Sequence, residues 1–188
     1  MMRAVETERL LLRPFTADDL PALTELHSIE AFWWYPLRRA MTPEETRAFL
    51  ERRFEHATTR EYDLWAAIEK ESDALVGWAG LNAPEFLPEI MPAVEVGWRF
   101  DPAVWGRGLA SEAGTAGLDY GFEMLGLDEI VSVCERENIA SARVMQRIGM
   151  RRISNTVHPA EGYPIWVYAI TATEWQAQRA SGGTVRET

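Results

Sequence analysis

The order of the predicted strands and helices constrains the fold of this chain more than any other feature of its sequence. Helices are predicted to begin at Thr16 and at Thr42, where Thr-Pro-Glu-Glu forms a capping box, and to cover residues 108–125, 138–149 and 173–179. Strands are predicted at residues 9–15, 63–69, 74–81, 94–100, 128–135, 150–155 and 165–171. The order β-α-α-β-β-β-α-β-α-β-β predicts an α/β (α+β) fold. We expect a mixed, mostly antiparallel twisted sheet of about seven strands, flanked by helices.

Length and charge narrow the class of protein further. The chain has 188 residues, of which 47% are apolar, which suits a single domain over residues 1–180 followed by a flexible tail at 181–188. Because 19 basic and 29 acidic residues give a net charge of -10, a broad nucleic-acid-binding surface is not expected. The longest apolar run, residues 64–68, is too short for a signal peptide or a membrane span. We therefore expect a cytoplasmic protein that binds neither nucleic acid nor membrane.

The sequence indicates neither a disulfide nor a metal site. Cys134 is the only cysteine, so an intramolecular disulfide is excluded and a cysteine-based zinc site is not expected. Its position in the middle of a predicted strand indicates a small buried side chain. The three histidines are too far apart in the sequence to form a local metal motif: His27, His56 and His158. We expect no bound metal.

A glycine-rich turn lies between the predicted strand 94–100 and the following helix. A helix N-terminus has unpaired amide groups and a partial positive charge, and Gly106 and Gly108 would allow an anion to approach the backbone closely. A Walker loop is excluded because Gly-x4-Gly-Lys-Ser/Thr is absent, and a dinucleotide fingerprint is excluded because Ser111 stands where a third glycine is needed. Two interpretations remain: a phosphate-binding turn, or a turn that only connects strand and helix.

Two motifs in the second half of the chain resemble those of the GNAT N-acetyltransferase superfamily. Residues 95–100 and 105–110 resemble motif A, Gln/Arg-x-x-Gly-x-Gly/Ala, with Trp105 in place of the usual polar residue. Residues 138–150 resemble motif B, Asn-x-x-Ser-x-Arg-hydrophobic-x-x-Lys/Arg-x-Gly-Phe/Met. Residues 7–14 and 168–175 are similar to the ends of the branch that acetylates ribosomal-protein N-termini, the RimJ/RimL type. The resemblance implies a GNAT-like fold, acetyl-CoA as the acetyl donor and an amine as the acceptor.

The resemblance also implies where acetyl-CoA would bind. Its pyrophosphate would be held by main-chain groups of one continuous segment, Gly106, Arg107, Gly108, Leu109, Ala110 and Ser111. The pantetheine arm would pair with the strand edge at Trp98, Arg99 and Phe100. Its sulfur end would be reached by Asn138 and Ser141. Gly97 would either form the bulge by which this family separates two strands or be a packing glycine.

Three residues are candidates for the chemistry of acetyl transfer. A protonated amine has no lone pair, so a base is needed, and Glu95 is the candidate unless it is a solvated or ion-paired glutamate. The Trp98 N–H would face the thioester carbonyl and act as an oxyanion donor. Met145 stands where many family members have a tyrosine acid. Ser141 would take that role, or it would cap a helix or position the cofactor.

The acceptor site is the least defined part of the prediction. Four consecutive aromatic residues, 32–35, either fold onto the core or line a binding cleft, in which case Trp33, Trp34 and Tyr35 would contact the acceptor. Exposed tryptophans there could equally form a homodimer contact. His158 lies in a second loop where the acceptor could bind. The acidic net charge favours a cationic amine with an apolar body, such as a protein N-terminus or a small amine. The alternative function is a non-catalytic acyl-CoA-binding or sensor domain.

Overall fold

The computed structural model describes residues 2–182, which contain eight strands and six α-helices. The strands are β1 Val5–Glu6, β2 Leu10–Arg13, β3 Leu64–Glu69, β4 Ala74–Asn82, β5 Glu95–Phe100, β6 Glu129–Glu135, β7 Arg151–Val157 and β8 Pro164–Thr171. The helices are α1 Leu20–His27, α2 Trp34–Leu37, α3 Pro43–Thr59, α4 Leu109–Asp119, α5 Ile139–Arg147 and α6 Ala172–Gly182. The hydrogen-bonded strand order is β1-β2-β3-β4-β5-β6-β8-β7. The expected mixed, mostly antiparallel α/β fold is confirmed, with eight strands instead of about seven.

The chain forms two compact units. The first contains residues 2–82 and 96–117, and the second contains residues 83–95 and 118–182. The boundary falls within β5, whose first residue, Glu95, belongs to the second unit. Residues 183–188 of the predicted tail lie outside the described residues. Ser181 and Gly182, which the prediction also assigned to the tail, are the last residues of α6.

The first unit is built on antiparallel strands β1 to β4. Where β2 pairs with β3, Leu10 to Arg13 face Glu69 to Ala66. Where β3 pairs with β4, Leu64 faces Gly80. All six residues of β3 are buried, as expected for a strand covered on both faces. The core of the first unit contains apolar side chains of α1, α3, β3 and β4, including Leu23, Leu26, Phe49, Leu50, Leu64, Ala66, Ile68 and Trp78.

Helix α3 begins with the capping box that the sequence predicts. The Thr42 hydroxyl accepts a hydrogen bond from Glu45 N at 3.2 Å, and the Glu45 carboxylate accepts one from Thr42 N at 2.8 Å. The preceding segment is not a plain loop, because it forms a 3-10 turn at Glu30–Trp33 followed by the short helix α2. Phe32 and Trp33 pack into the core of the first unit. Trp34 is 45% exposed.

The second unit contains an antiparallel sheet in which β8 lies between β6 and β7. Glu129 to Glu135 face Thr171 to Ile165, and Arg151 faces Ala169. Helix α4 continues into a π-helical turn at Tyr120–Met124, and Trp175 of α6 donates to Asp119 at 3.1 Å. Cys134 is buried in β6, as predicted. Within residues 2–182 no helix is both long and apolar enough to cross a membrane.

Candidate functional site

The loop between β5 and α4 has a conformation that requires glycine at two positions. Asp101 Oδ1 accepts a hydrogen bond from Ala103 N at 2.9 Å and so begins a 3-10 turn after the strand. The next residues include Gly106, with φ +76°, and Gly108, with φ +85°. Residues that carry a Cβ atom rarely adopt this left-handed backbone conformation. The positive φ angles of the loop therefore explain why the sequence has glycine at both positions. We call residues 105–108 the glycine loop.

Unpaired amides are concentrated where the glycine loop enters α4. The Gly108 carbonyl accepts hydrogen bonds from Ser111 N and Glu112 N, both at 3.1 Å. Within the described part of the chain, the amides of Gly108, Leu109 and Ala110 donate to no acceptor. Three adjacent N–H groups at the positive end of an eleven-residue helix suit a phosphate group. Ser111 is therefore removed from the segment predicted to donate amides to the pyrophosphate, because its amide already donates to the Gly108 carbonyl.

Arg107 does not present a free charge at this loop. Its guanidinium donates to Glu69 Oε1 at 2.5 Å and lies 3.9 Å from Glu71 Oε2. Hydrogen bonds from Ser72 and from Arg107 lower the pKa of Glu69. Arg107 therefore adds little net positive charge to a phosphate site, because its charge is compensated by a carboxylate of β3.

Arg9 and Glu112 hold the loop and the first turn of α4 in place. Glu112 accepts hydrogen bonds from Thr7 Oγ1 at 2.5 Å, from Arg9 N at 2.8 Å and from Arg9 Nε at 2.7 Å. Arg9 also donates to the Arg107 carbonyl at 2.7 Å. Burial opposes ionisation of Glu112, but the hydrogen bonds from Thr7 and Arg9 outweigh it and lower its pKa. Sequence reasoning missed Glu112 because its partners are about a hundred residues away along the chain.

Strand β5 carries the predicted cofactor residues Trp98, Arg99 and Phe100. The Phe100 carbonyl accepts a hydrogen bond from Trp105 Nε1 at 2.7 Å, so the tryptophan at the first position of motif A ties the glycine loop back to the strand. A Cβ atom at Gly97 would meet no atom within 4 Å. The packing interpretation of Gly97 is therefore wrong, because nothing crowds this position.

The side chain of Arg99 has a role that the motif did not predict. Its Nη1 donates to the Phe32 carbonyl, its Nη2 donates to the Tyr35 carbonyl at 2.6 Å, and its guanidinium lies 4.2 Å from the ring centre of Trp33. Burial lowers the pKa of Arg99 to about 9. The structure thus joins a predicted cofactor residue to two of the predicted acceptor residues, Trp33 and Tyr35, within the first unit.

Glu95 lies in the second unit, at the point where strand pairing changes. Glu95 faces Val131 in the parallel register, and Val131 N donates to the Val94 carbonyl at 2.9 Å. Two residues further along β6, Val133 N donates at 3.3 Å to the Glu95 carboxylate rather than to a strand carbonyl. Glu95 is only 8% exposed, so it is not the solvated glutamate of the alternative interpretation.

The motif B residues begin α5 in the second unit. Asn138 Oδ1 accepts a hydrogen bond from Ser141 N at 3.1 Å and so caps the helix. Met145, at the position where a tyrosine is common, is 1% exposed and belongs to the core. His158 stacks on Phe86 with ring centres 5.4 Å apart, and its Nδ1 accepts from Glu161 N at 3.2 Å. The contacts of His158 are thus with aromatic rings and its own loop.

The comparisons with known proteins agree with this architecture. The family model described as "Acetyltransferase (GNAT) domain" matches residues 9–151. The uncharacterized N-acetyltransferase YnaD of Bacillus subtilis (strain 168) is 32% identical over 175 residues, covering 91% of this chain and 98% of that protein. A GNAT-family acetyltransferase structure from Bacillus anthracis has a TM-score of 0.75 and 31% identity, covering 90% of this chain and 99% of that one.

A more distant structure shares the fold alone. Ribosomal-protein-S5-alanine acetyltransferase from Vibrio fischeri has a TM-score of 0.72 at 16% identity, covering 92% of this chain and 98% of that one. The family match covers most of the chain and includes the glycine loop, β5 and all of α5. The chain therefore belongs to the GNAT family of acetyltransferases.

Proposed function

We propose that this protein transfers the acetyl group of acetyl-CoA to a primary amine, by direct attack of the amine on the thioester in a ternary complex. One observation carries the proposal: three adjacent amides, those of Gly108, Leu109 and Ala110, are unpaired within residues 2–182 and lie at the N-terminus of α4. Members of the GNAT family use acetyl-CoA as a substrate, and this chain belongs to that family. A pyrophosphate is the group that such an amide arrangement suits best.

The donor would be bound mainly through the backbone. The pyrophosphate would accept hydrogen bonds from the amides of the glycine loop and the first turn of α4. The pantetheine arm would run along β5 at Trp98, Arg99 and Phe100. Asn138 Oδ1 already accepts one hydrogen bond at the start of α5, while the amide NH2 of the same side chain would be free to donate to the pantetheine. These roles follow from the family motifs, and the unpaired amides and the cap at Asn138 support them.

The chemistry requires a base and a polarised thioester. Glu95 would accept the proton of the amine, directly or through a water molecule, as the amine nitrogen forms its bond to the acetyl carbon. The Trp98 N–H would donate to the carbonyl oxygen as negative charge develops there. Collapse of the tetrahedral intermediate would break the carbon–sulfur bond. The Ser141 hydroxyl would donate a hydrogen bond to the departing thiolate, since Met145 offers none. The thiolate would leave as such and take its proton from solvent, while the proton of the amine stays on Glu95 until it too passes to solvent.

The acceptor would be a protein N-terminus or a small amine. The RimJ/RimL-type ends of the sequence favour an N-terminus, and the fold is shared with an acetyltransferase that acts on a ribosomal protein. We also propose that acceptor binding involves Trp33, Trp34, Tyr35 and His158. The reaction would take place in the cytoplasm.

Binding and turnover are tested separately. Thermal unfolding is measured with acetyl-CoA, CoA and ATP; a ligand at 100 times its Kd stabilises the fold by about 2.7 kcal/mol, which raises Tm by several degrees. We expect a shift with acetyl-CoA and CoA but not with ATP, and loss of that shift in a folded Gly108→Trp variant. Thiol release is then followed over a panel of amines. Binding without turnover on any amine would favour the non-catalytic acyl-CoA-binding alternative.

A further inference from the structure

Five buried side-chain nitrogen atoms of the first unit lack a hydrogen-bond partner among residues 2–182. One is Arg53 Nε, whose guanidinium is already paired with Asp63 through Nη1 at 2.7 Å. The other four are His27 Nε2, Trp33 Nε1, Trp78 Nε1 and Arg99 Nε. The ring centres of His27 and Trp33 are 5.0 Å apart, and those of Trp33 and Trp78 are 6.2 Å apart. The Arg99 guanidinium lies over both tryptophan rings, at 4.2 and 5.4 Å from their centres. The four side chains therefore form one group, which we call the donor cluster.

The donor cluster also contains a charge that is not compensated. The Arg99 guanidinium donates to the carbonyls of Phe32 and Tyr35, which are neutral, and within the described residues it forms no ion pair with a carboxylate. His27 neither compensates this charge nor adds a second one, since burial and the nearby Arg99 lower its pKa to about 4 and leave the ring neutral at pH 7. A buried cation without a counter-ion is costly for a protein, as is a buried N–H without an acceptor. Both costs would be removed by an anion that accepts hydrogen bonds.

We propose that the donor cluster binds the carboxylate of the acceptor, so that the substrate is an amine that also carries a carboxylate. This inference rests on the proposed acetyl transfer and narrows its acceptor class. Trp33 Nε1, Trp78 Nε1 and Arg99 Nε are three donors, and a carboxylate has two oxygens that accept several bonds. Charge-assisted bonds of this kind are the strong ones.

The charge and the surroundings of the donor cluster favour a carboxylate over a phosphate. The cluster has a single positive charge, that of Arg99, and is packed among the rings of Phe32, Phe49 and the two tryptophans. Removing a dianion from water into an aromatic environment costs more than removing a monoanion. The proposed acceptor is thus amino-acid-like, which adds a carboxylate to the cationic amine with an apolar body that the sequence favours.

The first test compares amines that differ only in the carboxylate. Three matched sets are assayed by thiol release from acetyl-CoA: leucine, leucinamide and isopentylamine; phenylalanine, phenylalaninamide and phenethylamine; lysine, lysinamide and cadaverine. Rates are compared at equal concentration of the uncharged amine. We expect the acid to exceed its amide and its decarboxylated amine in kcat/KM by about tenfold or more. If amides or simple amines are equally good acceptors in every set, the inference is overturned while acetyl transfer stands.

The second test removes one donor. Trp78→Phe keeps an aromatic ring but deletes the N–H, so the KM for the carboxylate acceptor should rise about tenfold or more while the KM for acetyl-CoA is unchanged. Trp65→Phe is the matched control, because the buried Trp65 Nε1 already donates to the Arg3 carbonyl at 2.9 Å. This control should lose stability without a change in acceptor KM. Equal acceptor KM values in both variants would overturn the inference.

A binding experiment separates this inference from the proposed function. Tryptophan fluorescence is titrated with phenylacetate, phenylacetamide and inorganic phosphate, none of which can be acetylated on nitrogen under these conditions. Quenching by phenylacetate alone, and its loss in Trp78→Phe, would support the carboxylate site even if no amine were acetylated. Equal binding of phenylacetamide, or tighter binding of phosphate, would overturn it whatever the activity of the protein.

Discussion

His27 illustrates how much a single buried side chain affects stability. Its ring has no exposed surface, lies against Phe32, Trp33 and Phe49, and has Nδ1 3.0 Å from Thr46 Oγ1. Burial, and then the charge of Arg99, lowers its pKa from 6.5 to about 4. Between these two values the unfolded chain binds a proton that the folded protein does not bind. Stability should therefore fall as the pH falls through this window.

The expected size of this effect is about 2 kcal/mol between pH 8 and pH 5, since one pKa unit corresponds to about 1.4 kcal/mol. Urea unfolding of the wild type at a series of pH values gives the measurement. His27→Gln should flatten the dependence, while His158→Gln, which leaves His27 in place, should retain it. A wild-type curve as flat as that of His27→Gln would contradict the prediction.

Cys134 should be unreactive in the folded protein. Burial, followed by the nearby carboxylates of Glu135 and Glu95, raises the pKa of its thiol to about 12. The thiolate is the reactive species, so we expect almost no alkylation by iodoacetamide at pH 8 in the native state and complete alkylation in urea. Mass spectrometry of the two samples decides the point. Modification at the same rate in both would show that the thiol is accessible.

At the scale of elements, the effect of backbone strain in the glycine loop on stability should be separable from the effect of the loop on acetyl-CoA binding. Gly106→Ala places a side chain at φ +76°, and Gly162→Ala places one at φ +73°; neither Cβ would meet an atom within 4 Å. Both variants should therefore lose about 1 kcal/mol of stability from backbone strain alone. If the amides beside Gly106 bind phosphate, only Gly106→Ala should also raise the Kd for acetyl-CoA. Calorimetric titration of both variants compares them directly.

The start of α4 depends on Glu112. Glu112→Ala removes hydrogen bonds from Thr7 and Arg9 at 2.5–2.8 Å, and we expect a loss of about 2 kcal/mol in the free energy of unfolding. Glu71→Ala is the comparison, because that carboxylate is 87% exposed and 3.9 Å from Arg107. It should cost less than about 0.5 kcal/mol. Equal losses would mean that Glu112 contributes no more than a surface charge.

At the scale of the whole molecule, net charge should oppose the approach of the donor. The chain carries -10 charges, and acetyl-CoA carries several phosphate charges. The unpaired donors at α4 are neutral amides, and Arg107 is paired with Glu69. Added salt screens repulsion beyond about 10 Å, so the association rate of acetyl-CoA should rise between 20 and 200 mM salt. Stopped-flow measurements that showed a falling rate would point to local basic attraction instead.

The element order was predictable from sequence because its signals are local. The Thr42 capping box, the strand runs and the Asn138 cap each depend on residues within a few positions. Strand β1 was missed because two residues are too few to show an alternating pattern. The position of β8 between β6 and β7 could not be predicted from the sequence either, since strand order depends on pairing between distant segments.

The candidate site was predictable to the extent that its motifs are continuous in sequence. Gly106 and Gly108 indicated the turn, but nothing near them indicated Glu112 and Arg9 as its supports. Arg99 was predicted to act through its backbone, because a strand motif says nothing about which distant aromatic rings its side chain meets. Long-range side-chain contacts therefore account for most of what the sequence left open.

The contact between Arg9 and Glu112 has a consequence for how quickly the protein unfolds. It joins residues 103 positions apart, so its formation restricts a long loop and carries a large entropic cost. Contacts of this kind tend to form after the rate-limiting step of folding. Weakening Glu112 should then accelerate unfolding several-fold and leave the refolding rate almost unchanged. The glycine loop would accordingly be among the last parts of the chain to reach its final shape and among the first to lose it, so this contact would lengthen the lifetime of the native state without speeding its formation.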